Sequence, residues 1–242
     1  MRETIREIIK RIKAFLSLHF HQKNPKLPYI ITAIVALIVV IGSINGFIEL
    51  TDELQEELLP RYDQAVTDYI ISRRTPGLTT FFIFLTSVGD FYGYVILVMI
   101  ASLISYFIFK KWRAVLQTIL VLILASLSNV ILKRFIDRAR PGTEHLVPVE
   151  TLSYPSGHAM SAMAFYGFVM YLVFHLKIRK FYKISIAFLL ALIILGIGIS
   201  RIYLGVHYPS DIAGGFIAGL FWVVFCILIF NLIEVFRKDP KT

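Results

Sequence analysis

Six stretches of this chain, 29–48, 91–109, 114–132, 159–176, 184–204 and 212–233, are apolar and long enough, or nearly so, to cross a bilayer core of about 30 Å. The expected fold class is therefore all-α, an integral membrane bundle of six transmembrane helices. A seventh run, 78–88, is short and is expected to lie at the interface or to re-enter. Composition agrees, because 57% of the residues are hydrophobic and the mean hydropathy of +0.73 is well above that of a soluble domain. A length of 242 residues suits one bundle rather than two domains, and the single cysteine, Cys226, has no partner for an intramolecular disulfide.

A net charge of +9 raises the possibility of a nucleic-acid partner, but the placement of the charges argues against it. With six spans and the N-terminus inside, the outer side keeps only Arg61, Arg73, Arg74, Lys133, Arg134, Arg138, Arg140 and Arg201, and every other Lys and Arg falls inside. A seventh full span would move the loops at Lys110 and Lys177 outside and spoil this asymmetry. Both termini are thus expected in the cytoplasm of a multi-pass protein of the plasma membrane. Residues 1–27 form a basic segment in which Ile5, Ile8, Ile9, Ile12 and Leu16 recur at helical spacing, as in a helix lying on the cytoplasmic leaflet. Residues 28–242 form the six-span domain. Its first span is read as a retained anchor, since no small-residue cleavage site precedes the acidic stretch that follows. An outer acidic insert over about 49–90, broken by Pro60 and Pro76, is expected to form one or two amphipathic pieces.

Three fragments at the outer ends of these spans carry the chemistry. In the first, Lys133 ends the third span and Arg140 follows seven residues later, two helical turns on and therefore on the same face. Pro141 stops the helix there. Two cations facing one way can hold a phosphate, although ordinary snorkelling of Lys and Arg explains this fragment equally simply.

The second fragment is Ser153-Tyr154-Pro155-Ser156-Gly157-His158. Pro155 suits the first position of a helix, which leaves the amides of Ser156, Gly157 and His158 free at the positive end of the macrodipole. His158 then stands beside a bound anion as a general acid. A capped helix start with an interfacial histidine is the alternative.

The third fragment runs from Ser200-Arg201 through His207 to Asp211. With Pro209 as the first helical residue, the Asp211 carboxylate can reach back to His207, fix its tautomer and leave the other ring nitrogen nucleophilic. Asp211 could instead only cap its own helix. Arg201 adds a further cation. Ionisable residues gathered at one boundary of the membrane point to a functional site.

Taken together, Lys133 with six residues before Arg140-Pro141, the run Pro155-Ser156-Gly157-His158, and Ser200-Arg201 with five residues before His207 and three more before Asp211 resemble the type 2 phosphatidic acid phosphatase superfamily. The three signatures cover about a third of the chain. The resemblance implies that His207, oriented by Asp211, attacks phosphorus, and that His158 protonates the leaving oxygen and later activates water. Lys133, Arg140, Ser156, Gly157 and Arg201 would bind the phosphoryl oxygens. It implies no cofactor and no metal, and a membrane lipid phosphate or pyrophosphate as substrate. The six spans argue against the soluble haloperoxidases that share these signatures. They make the chain most similar to bacterial lipid phosphatases, with undecaprenyl pyrophosphate ranked first for an outward-facing site and phosphatidylglycerophosphate or phosphatidate next. A lipid-phosphate binder or transporter would need the cations but not His207, Asp211 and His158 together. Asp90, Glu144 and His145 are placed on the outer side, where they could tune headgroup choice, although His145 lies outside every signature and is read as an incidental loop histidine.

Overall fold

The computed structural model describes residues 27–104, 106, 112–149 and 151–238. Nearly all of the amphipathic segment expected over 1–27 lies outside them. The described elements are helices: α1 (Leu27–Glu53), α2 (Leu58–Ile71), α3 (Pro76–Val88), α4 (Phe91–Ile104), α5 (Trp112–Phe135), α6 (Gly157–Phe174), α7 (Lys180–Tyr203) and α8 (Pro209–Lys238). No strand occurs among the described residues. Five of these, α1 and α5 to α8, are long and apolar enough to cross a membrane on their own. The sixth crossing is a composite. Pro76–Val88 and Phe91–Leu103 qualify only as a pair, bent by 58° at Gly89-Asp90. The short run at 78–88 thus pairs with the expected second span as the other arm of an elbow. Periodicity cannot show such an arrangement, because both arms are apolar all round.

The bundle is built around α6, which packs between α5, α7 and α8, while α1 lies against α8 and α3 against α7. Its small residues make this possible. Ala159, Ala162 and Ala164 are fully buried, and Met160 and Phe168 fill the space to Val121 and Ala125 of α5 and to Ala218, Val223 and Cys226 of α8. On its other side Phe165 and Tyr166 meet Tyr94 of α4 and Ile194 and Ile197 of α7. In a bilayer the apolar effect gives no reason for helices to associate, so close fit of small residues must supply it. The outward faces, such as Ile38 on α1, Leu116 and Leu127 on α5 and Phe188 on α7, remain exposed as a lipid-facing surface would.

Two small-xxx-small pairs in the sequence behave differently. A Cβ on Gly215 would stand 2.7 Å from the Ser156 carbonyl oxygen and 2.8 Å from Ala159 Cβ, and one on Gly219 would stand 2.6 Å from the Met160 carbonyl. Around Gly42 and Gly46 nothing lies within 4 Å. Only the α8 pair is a helix contact. Gly215→Leu is expected to destabilise the bundle by about 1–3 kcal/mol through overpacking. Gly42→Leu should leave the thermal midpoint in detergent unchanged, and equal losses in both variants would refute this assignment.

All six crossings bring the same end together: the C-terminal ends of α1, α5 and α7 and the N-terminal ends of α6, α8 and the α3–α4 pair. The connections close over that end. Arg74, between α2 and α3, donates to the Tyr203 carbonyl at 2.9 Å and to the Glu144 carbonyl at 3.0 Å. Leu146 N donates to the Leu204 carbonyl at 3.0 Å. Arg74 and Leu146 therefore tie the loop after α5 to the loop after α7.

Candidate active site

The loop that carries His207 starts where α7 stops. Gly205, at φ 78°, turns the chain in a conformation that a side chain would strain, and α8 begins two residues after His207, at Pro209. Asp211 is the third residue of α8, as the sequence implied. Its Oδ2 accepts from the Tyr208 amide at 2.7 Å and lies 3.4 Å from His207 Nδ1. The carboxylate therefore caps its own helix and faces the imidazole at the same time. Ser153 Oγ donates to the same Oδ2 at 2.5 Å, so it can only accept from Nδ1, 3.3 Å away. Arg140 Nη1 donates to His207 Nε2 at 3.3 Å. An arginine N–H cannot accept, and these partners place the ring hydrogen on Nδ1 and the lone pair on Nε2.

His207 is 2% exposed. Burial pushes its pKa down to about 3, against the pull of the hydrogen-bonded Asp211 carboxylate. The folded protein thus holds the imidazole neutral, whereas the unfolded chain takes up a proton below about pH 6.5. The sign follows directly. The contribution of His207 to stability is complete above pH 6.5 and is lost as pH falls toward 3, by up to about 1.4 kcal/mol per pH unit. His207→Gln should flatten the acid side of a plot of thermal midpoint against pH. Parallel curves for variant and wild type would show that the ring is not held neutral.

The cations converge, but by a different route from the one the sequence suggested. Helix α5 ends at Phe135, five residues before Arg140, so Lys133 and Arg140 do not share a helix face. The chain between them leaves the helix early because Arg138, Arg140 and the following Pro141 are drawn into tertiary contacts. Lys133 Nζ nevertheless donates to Thr151 Oγ1 at 3.1 Å and to the Leu152 carbonyl. Arg140 reaches the same segment through the Thr151 carbonyl at 2.6 Å and the Leu152 carbonyl at 3.3 Å. Arg201 is buried at the end of α7, with Nη1 on Thr86 Oγ1 at 2.9 Å. Its Nε has no hydrogen-bond partner among the described residues, which leaves a buried cationic donor with capacity for an anion.

The start of α6 also differs from expectation. Pro155 is not its first residue. Ser156 is the N-cap, its Oγ accepting from Ala159 N at 3.5 Å, and the helix opens at Gly157. The Ser156 amide is not free either, since it donates to the Asp211 carbonyl at 3.0 Å. This bond ties the N-termini of α6 and α8 together. The amides of Gly157 and His158 remain as first-turn donors without an intrahelical acceptor. A Cβ at Gly157 would come within 2.9 Å of Asn129 Oδ1, while Asn129 Nδ2 holds the Pro155 carbonyl at 3.0 Å.

Three groups take places in the site that the sequence did not assign them, Asp90 having been set only on the outer side as a residue that could tune headgroup choice. Asp90, at the elbow between α3 and α4, accepts from His158 Nε2 at 2.5 Å. Arg138 bridges Asp211 and Asp63 at 2.6 Å each. Ser153 completes the surroundings of His207. Arg138 had a signal, a second arginine beside Arg140-Pro141 on the side of few cations. Asp63 had none, since it is one acid among many in the outer insert. His145 is held by the Pro141 carbonyl at 3.0 Å, away from these groups. Among the described residues no three His, Cys, Asp or Glu side chains cluster as metal ligands would.

A neutral histidine backed by a carboxylate, with buried cations around it at one end of a membrane bundle, is the equipment of a membrane phosphatase. The comparisons agree, and the chain belongs to the PAP2 superfamily, whose family model matches residues 114–233. It is 32% identical over 196 residues to phosphatidylglycerophosphatase B of Bacillus subtilis (strain 168), covering 81% of this chain and 93% of that one. The crystal structure of the first transmembrane PAP2 type phosphatidylglycerolphosphate phosphatase from Bacillus subtilis superposes with a TM-score of 0.70 at 31% identity, over 84% of this chain and 97% of the other. The crystal structure of Aquifex aeolicus LpxE shares the fold, with a TM-score of 0.56 at 24% identity over 69% of this chain and 94% of that one.

Proposed function

We propose that this membrane phosphatase hydrolyses a lipid phosphate through a phosphohistidine at His207. The orientation of that ring carries the reading, with Nδ1–H on Asp211 and Ser153 and the Nε2 lone pair under Arg140. In the first step Nε2 forms a bond to phosphorus as the bond from phosphorus to the lipid oxygen breaks, and His158, acting as the imidazolium with Nε2–H held by Asp90, gives its other ring proton to that oxygen and becomes neutral. In the second step His158 takes a proton from water, whose oxygen displaces Nε2 and releases inorganic phosphate. Lys133, Arg140, Arg201, the Ser156 hydroxyl and the Gly157 amide bind the phosphoryl oxygens and stabilise the charge of the transition state. Ser156 Oγ accepts in its cap, so its hydrogen can still be donated. Arg140 moves its N–H from Nε2 to a phosphoryl oxygen as substrate arrives.

Phosphatidylglycerophosphate is now the leading substrate, because the similar Bacillus subtilis proteins bear that activity in their names. Undecaprenyl pyrophosphate stays as the second reading. The asymmetry of Lys and Arg in the sequence favours cytoplasmic termini and an outward-facing site, the side on which that carrier is released. Lateral entry suits either lipid. A cavity of about 270 Å³ between α1, α5, α6 and α8 is lined by Phe47, Ile131, Met160, Ala218, Trp222 and Leu132, the last of them next in chain to Lys133. A lipid tail held there would keep to the membrane while its headgroup reaches His207.

The test is phosphate release by purified protein in liposomes with chelator present, comparing the two lipids and using His207→Ala as control. Turnover that disappears in the variant supports the phosphatase, and the ratio of rates selects the lipid. Absence of turnover on both, in folded protein, would favour a binder or transporter.

A further inference from the structure

We propose that Asp63, on α2 and outside the matched family region, is a positioning residue that tunes the nucleophile through Arg138 and Asp211. The proposal rests on His207 being the nucleophile. Asp63 is 2% exposed and lies at the centre of a closed set of contacts. Its Oδ1 accepts from the Ser210 amide at 2.9 Å, and its Oδ2 accepts from the Ser210 hydroxyl and, at 2.6 Å, from Arg138 Nη2. Arg138 Nη1 donates to Asp211 Oδ1 at 2.6 Å and to Ser210 Oγ at 2.7 Å. The guanidinium also lies 4.5 Å from the centre of the Tyr208 ring, and the Arg138 carbonyl accepts from Ser153 N at 2.9 Å. The loop carrying His207 is therefore wrapped around one arginine, and Asp63 is the partner that fixes that arginine from outside the bundle core.

The charges give this geometry a consequence. Asp211 must remain an anion able to stabilise the positive charge that grows on His207 as Nε2 bonds to phosphorus. Arg138 alone would oppose it, because a guanidinium on Oδ1 neutralises the carboxylate that faces the ring through Oδ2. With Asp63 the guanidinium is shared between two carboxylates and the trio keeps a net negative charge. Asp63 also holds the first turn of α8, from which Asp211 projects. The two effects separate by substitution. Asp63→Asn keeps an acceptor for the Ser210 amide and removes the charge.

The experiment uses the full chain in liposomes, with kcat and KM measured for the wild type, Asp63→Asn, Asp63→Glu, Arg138→Gln and the double variant Asp63→Asn/Arg138→Gln. Asp63→Asn is expected to lower kcat by about 10-fold or more with KM within about two-fold, and Asp63→Glu to recover part of the loss. In the Arg138→Gln background, adding Asp63→Asn should cost no more than about two-fold, because the residue through which it acts is gone. A kcat for Asp63→Asn near that of the wild type, equal losses in the Asn and Glu variants, or a full loss persisting without Arg138 would each overturn the proposal. If Asp63→Asn does not fold, Arg138→Lys carries the test, since it keeps the charge but cannot span both carboxylates. A lowered kcat at constant KM then upholds the proposal, and an unchanged kcat overturns it. A wild type without turnover would instead point to failure of the phosphatase reading itself.

Discussion

His207→Ala is expected to lower kcat by about 10⁴-fold or more while leaving the bundle folded, the scale seen when a nucleophile is removed. The side chain is buried and neutral, and it makes its contacts through two ring nitrogens that serve opposite ends of one reaction coordinate. Nδ1–H is held by Asp211 and Ser153, and Nε2 points its lone pair at the place where Arg140 can present a phosphoryl oxygen. Alanine leaves the cations in place, so phosphate or vanadate binding should survive. The expected pattern is therefore loss of turnover with retained anion binding, read by phosphate release and by protection of the thermal midpoint with vanadate. Trigonal-bipyramidal vanadate resembles the transition state, and wild type should bind it tightly. Turnover within about ten-fold of wild type in the variant would remove His207 from its assigned role.

The second large effect is on the leaving group. His158→Ala should slow hydrolysis of a lipid phosphate by about 10²–10⁴-fold, because an alkoxide is a poor leaving group unless protonated. A substrate such as p-nitrophenyl phosphate departs without help in the first step, and the same variant should slow that step little. The placement supports this division of labour. His158 is the second residue of α6, next to the Gly157 amide, and Asp90 accepts from its Nε2 at 2.5 Å, so in the imidazolium the other ring N–H is left for the lipid oxygen. Single-turnover measurement of nitrophenol and lipid alcohol release separates the two cases. An equal fall for both would make His158 a binding residue rather than an acid.

Much of this site is local in character. Asp211 reaches His207 because it stands four positions on, across a helix start that Pro209 defines, so the sequence specifies their distance without help from the rest of the fold. The amide donors at Gly157 and His158 follow from a Ser N-cap in the same way, although the helix opens two residues later than Pro155 suggested. The bundle, too, was readable, since apolar length determines which segments cross.

What the sequence could not supply was anything depending on which helices touch. Lys133 and Arg140 converge through Thr151 and Leu152 rather than through a shared helix face, because α5 ends at Phe135 and tertiary contacts hold the chain beyond it. Gly215 and Gly219 pack while Gly42 and Gly46 do not, although the two spacings are identical. Asp63 came to the site from the acidic outer insert with no local signal to separate it from the solvated acids nearby, and Asp90, placed on the outer side by the sequence, was not seen there as the partner of His158. By itself the sequence determined the membrane class, the five crossings made by single helices and the histidine–carboxylate pair, since each depends on the character or spacing of near neighbours. The tertiary structure alone decided which distant charges face His207, because a buried ion pair forms only where packing holds both partners close and away from water.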